Sequence, residues 1–359
     1  MKNKISIYLF SSNLKYIFIT LFFIALFIQI INLLEVAKII EDNNSNIISI
    51  LYLSILKLPT TILEVIPFVI IISTAFFYRN LISNNELISM RNIGYSIIDI
   101  YKPVGSAIFI IGVLFLLIVN PLSATFEKKF ELLTSKDFSS LYSIKIKNNE
   151  IWIKNINKDK YNYIKFSNID LKQMTANDIK IVEISNNNNN FYLARKGKLK
   201  EKNLELHNVI MFNIDSEKYN NIEYLNLNIN FNNTDIINSI SNYKFVPFYK
   251  YKKHLDSLKK FNLYSPEVSF YYISEIFKPF FLIVLGFIVM GFSSKFKRDE
   301  NFFKILFYSI LIGFSFFIFK EIISAFTIGN YIPFWFAYLI MFSIPLIFGI
   351  YQTIKIEIN

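Results

Sequence analysis

The chain has 359 residues, 53% of them hydrophobic and only 18% charged, against roughly 25% charged in soluble domains, and its mean hydropathy is +0.38. Composition of this kind excludes a single water-soluble globule and predicts that lipid solvates part of the chain. The lack of cysteine excludes disulfide scaffolds, thiolate zinc sites, iron–sulfur clusters and cysteine nucleophiles, while the net charge of +11 favours anionic partners such as lipid headgroups, phosphates or nucleic acid.

A hydrocarbon core about 30 Å thick needs roughly 20 apolar residues per helix. Six runs reach that length or can be extended to it: Tyr16–Leu34, Leu58–Tyr78, Val104–Val119, Ile276–Phe292, Phe302–Phe319 and Tyr331–Tyr351. The first is too long for the apolar region of a signal peptide, and no small-x-small cleavage site follows it. Lys57 and Glu64 lie near the outer half of the second run. Ionisable groups facing lipid are costly, so these two mark either headgroup depth or the charged wall of a cavity.

Arg79–Gly94 joins the second and third runs. Ser83 and Glu86 have the spacing of a capping box, and Gly94 is a natural helix terminator, which predicts a short helix over about 84–93. Leu87, Met90 and Ile88 would offer apolar knobs there, Glu86 and Arg91 charges. Such a helix is either an ordinary interfacial connection or a docking element.

Between the third and fourth runs lie about 140 residues without an apolar stretch of spanning length. Their pattern has period two, the mark of half-buried strands. Leu225, Leu227, Ile229 and Phe231 alternate with Asn226, Asn228 and Asn230, and Ile144 and Ile146 with Lys145 and Lys147. Ile181–Ile184 and Phe191–Ala194 flank the tract Asn186–Asn190, which reads as a hairpin tip. The insert is expected to be an all-β domain. After it, Tyr251, Leu255 and Leu258 share a face of a lysine-rich segment, which predicts a short amphipathic helix at the membrane surface. Glu275 and Lys278 have the spacing of an i,i+3 ion pair.

Lys and Arg in short loops fix orientation. With both termini inside, the inner side holds Lys2, Lys4, Lys15, Arg79, Arg91, Lys102, Lys295, Lys297, Arg298, Lys304 and Lys355, and the short outer loops hold Lys38, Lys57 and Lys320. This asymmetry predicts cytoplasmic termini and an outer β domain.

Chemistry-bearing motifs are scarce. The run Gly286 to Gly291 is followed by Phe292, not Lys, so it cannot cradle nucleotide phosphates and reads as close helix packing by small residues. His207 and His254 share no metal-ligand spacing, and both read as surface residues. There is no G-x-S-x-G elbow.

The run Asn84-Asn85-Glu86-Leu87-Ile88-Ser89-Met90-Arg91-Asn92-Ile93-Gly94 resembles the segment between the second and third spans of the LptF/LptG permease family, the membrane halves of the ATP-driven lipopolysaccharide exporter. Leu58-Pro59 with Ile66-Pro67-Phe68, Ser274-Glu275-Ile276-Phe277-Lys278-Pro279 and Gly329-Asn330-Tyr331-Ile332-Pro333 are similar to that family's second span, fourth span and last outer turn. Ile151-Trp152-Ile153-Lys154 and Tyr163-Ile164 resemble the first strands of its LptG branch more than LptF.

The resemblance implies an α-helical integral membrane protein with six transmembrane helices and an all-β, jellyroll-like periplasmic domain between helices 3 and 4. It divides the chain as 1–122, 123–262 and 263–359. It places the protein in the cell inner membrane and implies an LptF-like paralogous permease, an LptB-like ATPase dimer, an LptC-like bridge protein and lipopolysaccharide as partners. Nucleic acid, cofactor, metal and catalytic residues of its own are not expected. Glu86, Leu87, Met90 and Arg91 would couple to the ATPase. Lys38, Glu35 and Glu64 would face substrate. Asn32 and Ile39 stand where family members can carry lysine. Spans one and five would gate the cavity, and the β domain would shelter acyl chains in a half-open groove. The competing readings are a membrane-anchored envelope enzyme, which would need a catalytic constellation in the insert, and an envelope scaffold or sensor.

Overall fold

The computed structural model describes residues 2–40, 47–134, 151–157, 160–170, 174–185, 189–229, 231–232, 235–236, 242–260, 264–293 and 301–358. The chain divides into two compact units, Met1–Phe130 with Pro266–Asn359, and Glu131–Ser265.

The first unit is helical. Helix α1 spans Lys2–Ile40, α2 Ile47–Ser83, α3 Glu86–Asn92 and α4 Ile97–Leu114; a π-helical turn, Phe115–Val119, leads into α5, Asn120–Thr134. The wide turn stands just before Pro121, which has no N–H to give to the preceding turn. The expected division at Leu122 therefore falls inside a continuous helical segment. Among the described residues, six segments are long and apolar enough to cross a membrane: Lys4–Ile39, Ile47–Ser83, Ile97–Thr134, Pro266–Ser293, Leu306–Ile328 and Phe334–Glu357. All six expected spans are present, and most are longer than their apolar centres, because a helix closes its own backbone hydrogen bonds and continues past the point where hydropathy falls.

Three helices complete this unit: α7 (Pro266–Ser293), α8 (Phe302–Ile328) and α9 (Phe334–Ile358), where α6 is kept for Tyr251–Lys260 of the second unit. Helix α7 is the hub, packed against α2, α4, α8 and α9. Glycines set the close approaches. A Cβ on Gly112 of α4 would lie 2.8 Å from the Pro279 Cα of α7, and one on Gly286 would lie 2.5 Å from Ile108 Cδ1. The Gly286–Gly291 run is thus a packing motif, as its sequence indicates. The Tyr101 hydroxyl, buried in the same crossing, donates to the Ile283 carbonyl.

Helix α1 is apolar all round, yet only one stripe is buried: Leu9, Asn13, Ile17, Ile28, Asn32 and Val36. Phe22, Phe23, Phe27, Ile30 and Leu34 remain exposed on the opposite side.

The second unit contains a six-stranded antiparallel sheet in the order β1-β2-β3-β4-β5-β6, with β1 Ile151–Asn157, β2 Lys160–Asp170, β3 Thr175–Ser185, β4 Asn189–Lys200, β5 Asn203–Asn213 and β6 Lys218–Asn228. Neighbours in sequence are neighbours in space, the arrangement that short hairpins produce. Ile181 pairs with Tyr192 and Val182 with Phe191, so the Asn tract does join a hairpin; residues 186–188 at its tip lie outside the described residues, as do Ile144–Lys147. Ile164, Ile179, Ile181, Ala194, Leu206 and Val209 form the core of one face, joined by Ile229, Phe231 and Ile236. On Tyr192, burial first and the charge of Glu183 second push the phenol pKa above its ordinary value, against a smaller opposing effect of Asn190.

His254 is not a surface residue. It is 2% exposed on the inner face of α6, with Tyr251, Ser257 and Leu258. That face is tied down through Asp235, which accepts from Lys260 Nζ at 2.9 Å and from Ser257 Oγ at 3.4 Å. His207 is exposed on β5, its ring 5.3 Å from that of its cross-strand partner Tyr224.

Two outcomes test this architecture. Gly112→Val should lower stability by about 1–3 kcal/mol, because overpacking here meets backbone instead of a flexible side chain; thermal unfolding in detergent reads the change. A fragment spanning 131–265 should fold alone and give a strand-dominated circular dichroism spectrum, whereas a coil spectrum would show that its core needs the helical unit.

Candidate functional site

Helix α2 ends at Ser83, and the chain reverses through Asn84 and Asn85. Asn85 adopts φ 60°, a left-handed conformation that asparagine tolerates better than most residues. It occupies the N-cap of α3 and makes no side-chain cap bond. The expected capping box is absent. The Ser83 hydroxyl donates to the Asn80 carbonyl at 3.0 Å, and the Glu86 carboxylate accepts instead from the Tyr8 hydroxyl of α1, at 2.7 Å. Spacing alone cannot make a capping box when the residue between turn and helix is left-handed. The other end follows expectation: Gly94, at φ +94°, donates to the Arg91 carbonyl at 2.9 Å, and Tyr95 to the Met90 carbonyl at 3.1 Å. This is the paired-bond ending that glycine permits.

The seven-residue helix has two unlike faces. Leu87 and Met90 are each 6% exposed and belong to the core. They anchor the helix and are not outward knobs. The outward face carries Ile88 and Ile93, 51% and 58% exposed, with exposed Ser89, Arg91 and Asn92. Its polar ties run to the two terminal helices. Glu86 meets Tyr8, and Arg91 donates to the Ile356 carbonyl of α9 at 3.3 Å. Glu357 of α9 accepts from the Ile97 N–H at 3.0 Å, filling one of the open donors at the start of α4, where the Ser96 hydroxyl also caps the Asp99 N–H at 3.0 Å.

A second group of charges stands near the C-terminal end of α1. Glu35 pairs with Lys57 of α2, above an apolar cluster of Val36, Leu53, Leu56 and Phe130. Lys38 and Glu64 are exposed, on α1 and α2 respectively, and no contact joins the two. Asn32 is 2% exposed, and its amide nitrogen has no hydrogen-bond partner. It therefore faces inward. On α7 the expected Glu275–Lys278 pair is formed, and Lys278 also donates to the Leu63 carbonyl of α2 at 3.4 Å. Lys320 is not a loop residue. It lies inside α8, paired with Glu321 at 3.1 Å, its ammonium 5.6 Å from the ring of Phe317 and 5.7 Å from that of Phe281. Aromatic faces attract the cation, so the helix continues through it.

The second unit carries a concavity of about 890 Å3 on the sheet, lined by Lys165, Lys180, Arg195, Asp178 and Glu223 with Leu193 and Ile210. The lining mixes these charges with further apolar side chains, Ile179, Ala194, Val209 and Ile222.

Among the described residues there are six spans, a short helix between the second and third, and an antiparallel sheet between the third and fourth. A family model described as lipopolysaccharide export system permease LptF/LptG matches residues 7–355. The chain belongs to the LptF/LptG permease family. The match takes in every span and the sheet, and it does not separate the LptF branch from the LptG branch. No curated protein matches the chain. As an LptF/LptG permease the protein is a multi-pass inner-membrane component of lipopolysaccharide export. Tyr8 and Ile356 are the polar contacts of α3, and Glu357 the contact at the start of α4, that sequence reading missed. Each lies at the far end of the chain from its partner or across the first span, where no local spacing signals it.

Proposed function

We propose that this chain is the permease subunit of an ATP-driven ABC transporter that extracts lipopolysaccharide from the inner membrane and passes it to a periplasmic bridge. ATP hydrolysis belongs to a separate LptB-like dimer, the second permease is an LptF-like paralogue, and an LptC-like protein continues the bridge. The LptG branch is supported by the first strands of the sheet. Both termini and α3 are assigned to the cytoplasm, the β unit to the periplasm.

One observation carries the reading: α3 is a rigid helix whose inner face is fixed by Leu87 and Met90 and whose outer face leaves Ile88 and Ile93 uncovered. An anchored apolar ridge of this kind suits a groove on a partner, and Glu86 and Arg91 at its two ends supply charge for a basic and an acidic contact there. Glu86, Leu87, Met90 and Arg91 keep the coupling role, divided between contact (Glu86, Arg91) and anchoring (Leu87, Met90). At the outer end of α1, Lys38 is the residue for a lipid phosphate. Glu35 and Glu64 shape the charge around it, Glu35 by pairing Lys57. The concavity of the sheet, part charged and part apolar, suits an amphipathic cargo.

In the reconstituted complex, Glu86→Gln should leave the fold and membrane insertion intact and lower lipopolysaccharide release at least about tenfold, as loss of a charge contact with a partner costs roughly 2 kcal/mol or more. Wild-type release by this variant would remove the charge contact from the mechanism. Lys38→Glu should depress lipopolysaccharide-stimulated ATP hydrolysis more than Lys38→Ala, because reversal adds repulsion to the lost contact. Equal effects would make Lys38 an interfacial lysine that merely reaches for water.

A further inference from the structure

The ends of α3 are both turns with left-handed residues, Asn85 before it and Gly94 after it. Backbone continuity with α2 and α4 is therefore interrupted on both sides. What joins α3 to the rest of the unit is its apolar face and its polar ties. The tie at the first residue of the helix crosses to α1: Tyr8 Oη donates to Glu86 Oε2 at 2.7 Å. A carboxylate has two oxygens with about four acceptor positions. The bond with Tyr8 occupies one oxygen, and Glu86 is only partly exposed, so the side chain is confined to a rotamer that leaves Oε1 for another donor. Leu9, next to Tyr8, is 1% exposed and shares a core with Leu87 and Met90. Tyr8 itself is 43% exposed, and Leu9 beside it seats this part of α1 in the core. Helix α1, in turn, is buried along one side only, with Phe22, Phe23, Phe27, Ile30 and Leu34 uncovered on the other.

We propose that Tyr8 is a positioning residue: its hydroxyl orients the Glu86 carboxylate and links α3 to the first span, so that a displacement of α3 by a docked partner moves α1. This rests on the reading of α3 as the ATPase-docking helix. The bond is charge-assisted, and such bonds are shorter and roughly twice as strong as neutral ones. It is a link that can transmit a pull without a covalent path through the intervening turn.

The test uses the full complex in lipopolysaccharide-containing vesicles, with release and ATP turnover measured together. Tyr8→Phe keeps the ring and removes only the donor. Assembly and ATP turnover should stay within about twofold of wild type, while lipopolysaccharide released per ATP falls about threefold to tenfold, the loss of one solvent-exposed hydrogen bond of ordinary net strength. Glu86→Ala removes the acceptor, so adding Tyr8→Phe to it should cause no further loss of release per ATP. Normal release per ATP in Tyr8→Phe, or defects that multiply in the double variant, would overturn the proposal. Failure of Tyr8→Phe to assemble would also overturn it, since the hydroxyl would then serve stability and not transmission. Glu86→Gln separates the two levels, because the amide oxygen still accepts from Tyr8 while the charge is gone. A wild-type Glu86→Gln with a defective Tyr8→Phe overturns the charge contact with the ATPase and keeps the link. A defective Glu86→Gln with a wild-type Tyr8→Phe does the reverse.

Discussion

Helices α4 and α7 cross with no side chain between them at Gly112, where the Pro279 backbone of α7 fills the place a Cβ would take. In hydrocarbon there is no hydrophobic force to push helices together, so closeness of backbones and the dispersion contacts that follow supply the attraction. Gly286 lets Ile108 in at the same interface, and the Tyr101 hydroxyl closes it by donating to the Ile283 carbonyl. With α7 seated on α4, its other sides are free to receive α2, α8 and α9. The Glu275–Lys278 pair and the bond from Lys278 to the Leu63 carbonyl fix how α7 lies against α2. A buried ion pair adds little net stability by itself; here it sets rotation and depth.

The α3 end of the bundle shows how apolar and polar contacts divide their work. Burying Leu87 and Met90 holds the helix against the core at roughly 1.5–3 kcal/mol per side chain. The partly exposed bonds from Tyr8 and Arg91 add little to that. Their effect is directional: they tie the two ends of α3 to the first and last spans. Glu357 extends the same arrangement to the start of α4. A short helix joined to several spans by different kinds of contact is suited to receiving a push from outside the membrane, which is the use an export permease would have for it.

Much of this was legible in the chain itself. Hydropathy found all six spans because a helix that satisfies its own backbone is the only open-ended way through lipid. Alternation of Leu225 and Leu227 with asparagines found the end of β6, although the strand stops at Asn228 and Ile229 and Phe231 join the core beyond it, and the Asn tract found the β3–β4 hairpin. Gly94 ended α3 as its type requires. The failures share one cause. Ser83 and Glu86 have capping spacing, but Asn85 turned left-handed and Tyr8, 78 residues away, took the carboxylate. Leu87 and Met90 read as outward knobs, and only the core they meet makes them inward anchors. Lys320 looked like a loop residue because hydropathy dips at a charge, and the rings of Phe281 and Phe317 that accept it belong to separate helices.

Local chemistry, then, determined which segments cross the membrane, where the sheet lies and where the short helix stops, because each depends on a residue's own length, branching or backbone freedom. The tertiary structure alone decided which side of each span is buried. Helix α1 is oily on every side, so beyond the polar Asn13 and Asn32 its sequence holds no sign that Leu9, Ile17 and Val36 turn inward while Phe22, Phe23 and Phe27 stay uncovered. In water an apolar stripe announces the core, but in a membrane both surroundings are apolar, and only the shapes of the neighbouring helices choose the face.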